Sequence, residues 1–159
     1  MIYTEFSEAL DRAERNENVQ RLKGFFLGSG FASLAADETV KEWTLLYYNP
    51  AKKSVVDCFV DEKFVMIGEE TPAIREMQEL NAVRVKTPLQ EALAMAEAKI
   101  KKKPLNILVS LHMKDINGRN YTVWTIAYVT PDMSVTSMDI DTANGKILKE
   151  ETTSLIRRL

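Results

Sequence analysis

The chain has 159 residues, of which 45% are hydrophobic and 28% are charged, and its formal net charge is −2. This length suits one ordinary domain or two small domains that share a core. The hydrophobic content is typical of soluble globular proteins and excludes a disordered chain. A slightly negative charge argues against a general nucleic-acid binder, which needs a basic surface to displace phosphate counterions. No apolar run approaches the length of a membrane span, so we expect no membrane partner. From the charge, we expect no nucleic-acid partner.

The start of the chain and its cysteine content bear on the compartment. Residues 1–6 contain no basic region followed by an apolar run, and a secretory signal peptide has both. Cys58 is the one cysteine, so the chain can form no internal disulfide, which is compatible with a reducing compartment. These features predict a cytoplasmic location.

The first predicted unit begins with a helix. The residues that recur at the spacing of one helical face are Phe6, Ala9, Leu10 and Ala13. Gly24 follows this stripe as a terminator. Alternating apolar positions between turn residues then predict four strands. These strands cover residues 25–34, 40–48, 54–60 and 64–67. Thr71 and Pro72 predict the start of a short linker helix over about 72–81. Its apolar residues at helical spacing are Ile74, Met77 and Leu80.

The second predicted unit repeats this order. Thr87, Pro88 and Gln90 are typical of a capped helix start. Lysines crowd the end of this helix over residues 99–103, before Pro104. The residues that recur at the spacing of one helical face are Leu89, Ala92, Leu93, Ala96 and Ile100. Strands are predicted over residues 105–113, 121–129, 134–140 and 146–150. The residue pairs typical of tight hairpin turns are Asn117-Gly118 and Asn144-Gly145.

A repeated phrase relates the two units. Each tryptophan opens the same order of residue types, and every member of the second phrase lies 81 positions after its counterpart. The phrases are Trp43-Thr44, Tyr47 and Pro50, and Trp124-Thr125, Tyr128 and Pro131. Such coincidences indicate an internal duplication. We predict an α+β fold of two tandem repeats, 1–86 and 87–159, each with one helix followed by a roughly four-stranded antiparallel sheet.

Strand parity predicts which face of each sheet is buried. Successive side chains alternate across a strand, so Trp43 and Tyr47 share one face, and Trp124 and Tyr128 share the matching face of the second repeat. We expect the helix of each repeat to pack on that face. These four side chains are the tentative ligand or partner contacts, although aromatic residues at strand spacing are more often core. The open opposite face invites self-association or a protein partner.

The last predicted hairpin is written Ile140-Asp141-Thr142-Ala143-Asn144-Gly145-Lys146-Ile147-Leu148. Together with the preceding helix and hairpin, this phrase resembles the PepSY family, whose small cystatin-like domains typically end in the form V-D-A-x-T-G-x-I. The resemblance is best over residues 87–151. The first half keeps the aspartate as Asp61 but lacks the glycine turn. This resemblance implies a cystatin-like domain that binds or inhibits, with no catalytic residues to carry over.

The residues with chemical potential are few and scattered. His112 is the one histidine, and its parity places it on the more polar face of its strand, which favours a surface residue over a metal ligand or a general base. Cys58 shares parity with apolar residues and is expected in the core. Residues 139–151 nearly spell a calcium loop, but the spacing before the glycine is wrong and strands replace the flanking helices. A hairpin is expected there.

The leading hypothesis is a non-enzymatic, intracellular binding or regulatory module without a cofactor. The alternative is a carrier or sensor of a small apolar ligand held between helix and sheet. An enzyme would need two carboxylates among Asp57, Asp61, Asp139 and Asp141 to converge in one cleft. The lysine run could contact an anionic partner, although its position at a helix C-terminus is a sufficient explanation.

Overall fold

The computed structural model describes residues 5–35 and 39–156. Within them the chain forms three α-helices, a 3₁₀ turn at Ala82–Arg84 and eight strands. The helices are α1 (Phe6–Glu14), α2 (Glu17–Gln20) and α3 (Leu89–Lys99). The strands are β1 (Phe26–Ala35), β2 (Glu42–Asn49), β3 (Ser54–Asp61), β4 (Val65–Pro72), β5 (Asn106–Ile116), β6 (Arg119–Val129), β7 (Ser134–Asp141) and β8 (Ile147–Ser154). Every strand predicted from the pattern is present, with bounds that differ by a few residues.

All eight strands belong to one antiparallel sheet in the order β4-β3-β2-β1-β5-β6-β7-β8. The two halves meet where β1 pairs with β5, from Ser29 opposite His112 to Ala35 opposite Asn106. The predicted fold class, two tandem α+β repeats that each have one helix followed by a roughly four-stranded antiparallel sheet, is therefore wrong. The pattern of alternating residues identifies strands but not their partners. Joining β1 to β5 satisfies backbone groups that would otherwise form two exposed edges.

The linker helix predicted over 72–81 is also wrong. Pro72 closes β4 opposite Ser54, and no helix forms among residues 73–81. The backbone N–H of Leu80 instead donates to the carbonyl of Leu27 on β1, at 2.8 Å. The Leu80 side chain is buried. These contacts with the sheet thus take the place of the intrahelical hydrogen bonds that the predicted helix would have formed.

Helix α3 begins one residue later than its capping motif predicts. Pro88 is the N-cap residue and makes no side-chain capping hydrogen bond. The neighbouring Thr87 carbonyl accepts a hydrogen bond from Trp124 Nε1 at 2.8 Å. The buried stripe of Leu89, Ala92 and Ala96 confirms the predicted apolar face. The helix start is therefore set by its contact with the sheet as well as by its own sequence.

The hairpin predicted at Asn117-Gly118 is confirmed. Both residues have positive φ, 54° and 84°, as a tight hairpin between twisted strands requires. Asn117 and Gly118 connect β5 to β6, which pair continuously from Asn106 opposite Val129 to Ile116 opposite Arg119. This long hairpin is the most regular part of the sheet.

The core is centred on three aromatic rings from both halves of the chain. Trp43 on β2 and Trp124 on β6 are at most 1% exposed, and their ring centroids lie 6.1 Å apart. Phe6 of α1 packs edge-on against Trp43 at 5.4 Å and against Trp124 at 6.2 Å. The predicted burial of both tryptophans is confirmed. They belong to one shared core.

A glycine on β1 makes room for this aromatic cluster. A Cβ atom added at Gly30 would lie 2.5 Å from Cε2 of Phe6 and 3.4 Å from Cδ2 of Leu45. No real side chain tolerates the first distance, so the Phe6 ring could not keep its position. Gly30 lies in the strand that joins the two halves. Its missing side chain therefore lets α1 approach the centre of the sheet.

We expect Gly30→Ala to lower the free energy of unfolding by about 1–3 kcal/mol, because the added methyl overpacks the core. Phe6→Ala alone should cost about 3–5 kcal/mol. In the Phe6→Ala background the clash is gone, so Gly30→Ala should cost much less. Urea denaturation of the four proteins measures this coupling. Equal costs of Gly30→Ala in both backgrounds would contradict the proposed contact.

Candidate functional site

A groove runs along α1 on the helix-bearing side of the sheet. It separates α1 from residues 79–89, and it consists of two cavities of about 740 Å³ and 400 Å³. Leu10, Glu14 and Ala82 line both cavities, so the two spaces adjoin. We call the two adjoining cavities together the α1 groove. The volume of each cavity lies in the range of small-molecule binding sites in proteins.

The larger half of the α1 groove has a mixed lining of apolar and charged residues. The apolar lining includes Leu10, Phe25, Leu27, Leu80 and Met113. Glu14, Glu79 and Arg84 are exposed at the rim. Such a lining suits a molecule with an apolar body and a polar end.

Tyr47 forms part of the wall of this larger half. Its side chain is 7% exposed, and its hydroxyl has no hydrogen-bond partner among the described residues. Burial raises the pKa of the Tyr47 phenol well above its usual value, and Cys58 and Glu14 raise it further. The hydroxyl therefore stays protonated. A buried hydroxyl without a partner costs about 1–3 kcal/mol.

Trp124 forms part of the wall of the smaller half. Its indole N–H is already bonded to the Thr87 carbonyl, so the ring offers the groove an apolar surface. The rim around it carries Glu5 and Asp11 on one side and Lys86 on the other. Asp11 also pairs with Arg15 at 3.2 Å. With Glu14 and Glu79, the acidic rim residues of the α1 groove outnumber the basic ones.

The structure brings together two of the four side chains named from the sequence. Tyr47 and Trp124 line the α1 groove. Trp43 is fully buried beneath it and packs against Phe6. Tyr128 lines a separate cavity beside the end of α3. Sequence reasoning missed Leu10 and Ala82 as groove residues. Nothing in the pattern of residues 73–86 indicates that this segment packs beside α1.

The opposite face of the sheet carries a polar network. Asp139 is 3% exposed and accepts hydrogen bonds from Lys114 Nζ at 2.7 Å and Thr125 Oγ1 at 2.6 Å. Ser110 Oγ and His112 Nδ1 lie 3.2 Å apart on β5. A buried carboxylate is tolerated when it is paired and hydrogen-bonded. The contacts of Asp139 therefore account for its burial without a catalytic role.

The carboxylates considered for an acid–base pair lie in two distant groups. Asp57 and Asp61 are on β3, whereas Asp139 and Asp141 are on β7, five strand spacings away. At the usual strand spacing this separation is roughly 24 Å. Asp61 and Asp141 also accept backbone N–H groups of the turns that follow them. A cleft shared by the two groups is not formed.

The remaining chemical groups are the potential metal ligands and the cysteine. Among the described residues, no three or more His, Cys, Asp or Glu side chains lie close enough to hold a metal ion. The hairpin expected in place of a calcium loop is formed, with the Gly145 N–H donating to the Asp141 carbonyl at 2.8 Å. Cys58 is fully buried, as predicted. Burial raises the pKa of its thiol to about 11, so the thiol stays protonated and unreactive.

Comparisons with known proteins identify a shared fold. No protein-family model matches the chain, and no curated protein matches it. Among solved structures, the chain is similar to a "putative lipoprotein" from Clostridium difficile 630, with 12% identity and a TM-score of 0.64. The match covers 96% of this chain and 95% of that one. The likeness establishes the fold alone, and the PepSY resemblance stays a prediction.

The expected cytoplasmic location is contradicted by that neighbour, because of its description as a lipoprotein. The expectation rested on the sequence of residues 1–6 and on the single cysteine, Cys58. No helix within the described ranges is long and apolar enough to cross a membrane. The cytoplasmic prediction is therefore withdrawn.

We expect Tyr47→Phe to stabilise the ligand-free protein by about 1 kcal/mol or more, because it removes a buried hydroxyl that has no partner. Thermal and urea unfolding measure this change. Tyr121→Phe, at a half-buried tyrosine of β6, controls for the loss of a hydroxyl elsewhere on the sheet. A destabilisation by Tyr47→Phe would show that the hydroxyl has a partner in solution.

We expect His112 to titrate below its usual pKa of 6.5, because burial lowers its pKa and nearby Lys114 and Arg75 add to this, while Asp139 opposes them. The folded state then favours the neutral imidazole of His112. The stability that this preference contributes is present above pH 6.5 and is lost as the pH falls through the lower, folded-state pKa. The one histidine gives a single NMR titration curve. His112→Gln should remove this part of the acid destabilisation. A pKa above 6.5 would contradict the assignment.

Proposed function

We propose that this protein is a non-enzymatic binding module that holds a small amphipathic molecule in the α1 groove. The observation that carries the proposal is the pair of adjoining cavities, about 740 Å³ and 400 Å³, that remain between α1 and residues 79–89. Cavities of this size are large enough to hold a small molecule.

The composition of the groove supports an amphipathic ligand. Apolar side chains contribute to the lining of both halves, and charged groups lie at the rim, where they remain exposed. An apolar body would gain by leaving water for the apolar part of this lining. A polar group could stay at the rim, in contact with water, without a buried unpaired charge. This arrangement favours binding through shape and burial, with few polar contacts that set the orientation.

The position of the groove also supports access by a free molecule. One wall is α1, and the other is the irregular segment over residues 79–89. That segment is tied to β1 at Leu80, and further along the N–H groups of Lys86 and Thr87 donate to the carbonyl of Thr142. Between these ties, Ala82 and Val85 are only half-buried. A wall with few buried contacts can open at a lower free-energy cost than a helix packed in the core. We expect ligand entry at this wall.

Occlusion of the groove tests the proposal. Ala82 lines both halves, so Ala82→Trp places a large ring where they meet. We expect this variant to bind the neutral apolar dye N-phenylnaphthylamine at least about tenfold more weakly than wild type, a loss of roughly 1.4 kcal/mol. Fluorescence titration measures the affinity.

The matched control is Ala94→Trp, which adds the same ring at an exposed position of α3 that does not line the groove. Its dye affinity should equal that of wild type. Circular dichroism checks that both variants keep the fold. An unchanged affinity in Ala82→Trp, or no saturable binding by wild type, would rule out the groove as a ligand site.

A further inference from the structure

A third cavity lies beside the end of α3 and shares no lining residue with the α1 groove. Its volume is about 590 Å³, and we call it the α3 cavity. Its apolar lining consists of Leu34, Leu93, Ile100, Ile107 and Tyr128. Leu34 and the groove residue Leu27 lie near opposite ends of β1, roughly 20 Å apart at the usual rise per residue. The two sites are therefore separate.

The rim of the α3 cavity carries the lysine run that the sequence singled out. Lys101, Lys102 and Lys103 all line it, together with Glu97. Lys102 Nζ binds Asp132 Oδ2 at 2.8 Å. Lys101 and Lys103 are exposed, and within the described ranges neither forms an ion pair. Two ammonium groups at the mouth of an apolar cavity thus remain available.

Local charges do not fully compensate this pair of lysines. Asp132 is occupied by Lys102, Thr130 and Ser134, which hold its pKa well below the usual range. Glu97 offsets one positive charge. The C-terminal dipole of α3 is equivalent to about half a negative charge, and Lys99 in that last turn is paired with Glu150 at 3.9 Å. The mouth of the α3 cavity therefore keeps a positive potential, in contrast to the mainly acidic rim of the α1 groove.

We infer that the α3 cavity is a second binding site, for an amphiphile that places one alkyl chain in the cavity and an anionic head group at its mouth. The apolar chain would lie against Leu93 and Ile107, and the head group would lie between Lys101 and Lys103. The apolar chain and the apolar lining would remove each other's surface from water. The anionic head group would pair with the two lysine ammonium groups, which otherwise repel each other. The head group could belong to a free fatty carboxylate or to a membrane lipid.

Isothermal titration with decanoate, below its micelle concentration, tests the chemistry. We expect saturable binding with one decanoate per chain. Decanol has the same chain without the charge and should bind about tenfold more weakly, as should decanoate to Lys101→Glu/Lys103→Glu. The control Lys63→Glu/Lys146→Glu makes the same change in net charge at exposed turn residues and should bind like wild type.

Two further variants locate the site. Leu93→Trp fills the α3 cavity from α3 and should abolish decanoate binding. Ala82→Trp, in the α1 groove, should leave decanoate binding unchanged, so a failure of the groove proposal and a failure of this one are distinguishable. Absence of saturable binding overturns the inference. Equal losses in the two charge variants, or a loss in Ala82→Trp alone, overturn it as well.

Vesicle flotation separates the two sources of the head group. Binding to phosphatidylglycerol vesicles that is lost in both Lys101→Glu/Lys103→Glu and Leu93→Trp supports the inference and identifies a membrane lipid as the source. Phosphatidylcholine vesicles are the neutral control and should not bind. Decanoate binding without vesicle binding supports the inference and identifies a free amphiphile.

Discussion

The pairing of β1 with β5 is the constraint on which the rest of the structure depends. It joins the two halves of the chain in one sheet and brings Trp43 and Trp124 to the same side, where their rings meet. Phe6 can then contact both tryptophans, because Gly30 on the joining strand leaves it space. Without this pairing each half would expose a strand edge and an unpaired aromatic surface.

The cavities follow from the width of the joined sheet. Eight strands at the usual spacing span roughly 34 Å, whereas each helix is about 10–12 Å wide. Helix α1 lies over β2 and β3, and α3 lies over β6. Two helices therefore leave part of the apolar face to be covered by the segment between β4 and α3. That segment is irregular, so it packs less closely than a helix, and the α1 groove remains beside it.

The two faces of the sheet differ in where their polar groups lie. On the helix-bearing side, acidic residues predominate at the rim of the α1 groove and lysines at the rim of the α3 cavity. On the opposite side, Asp139 is buried and paired with Lys114. Within the described ranges, the α1 groove and the α3 cavity thus combine apolar lining residues with accessible charged groups, and both proposed ligands bind there.

The sequence by itself determined the local structure of this protein. Residue periodicity located both amphipathic helices and every strand, because helix and strand periods are properties of neighbouring residues. Asn117-Gly118 marked its hairpin, since few other residues adopt positive φ without strain. Parity likewise identified Trp43, Trp124 and Cys58 as buried.

The tertiary structure alone decided how these elements join and where space remains. Strand pairing across the middle of the sheet depends on backbone groups that are the same in every residue, so no pattern distinguished one sheet from two. The linker over residues 73–81 had helical spacing but found its hydrogen bonds on β1. The α1 groove and the α3 cavity arise from distant segments that pack incompletely. Tyr47 and Trp124 were recognisable as buried aromatics, but only the packing of α1 and residues 79–89 placed them at the walls of one groove.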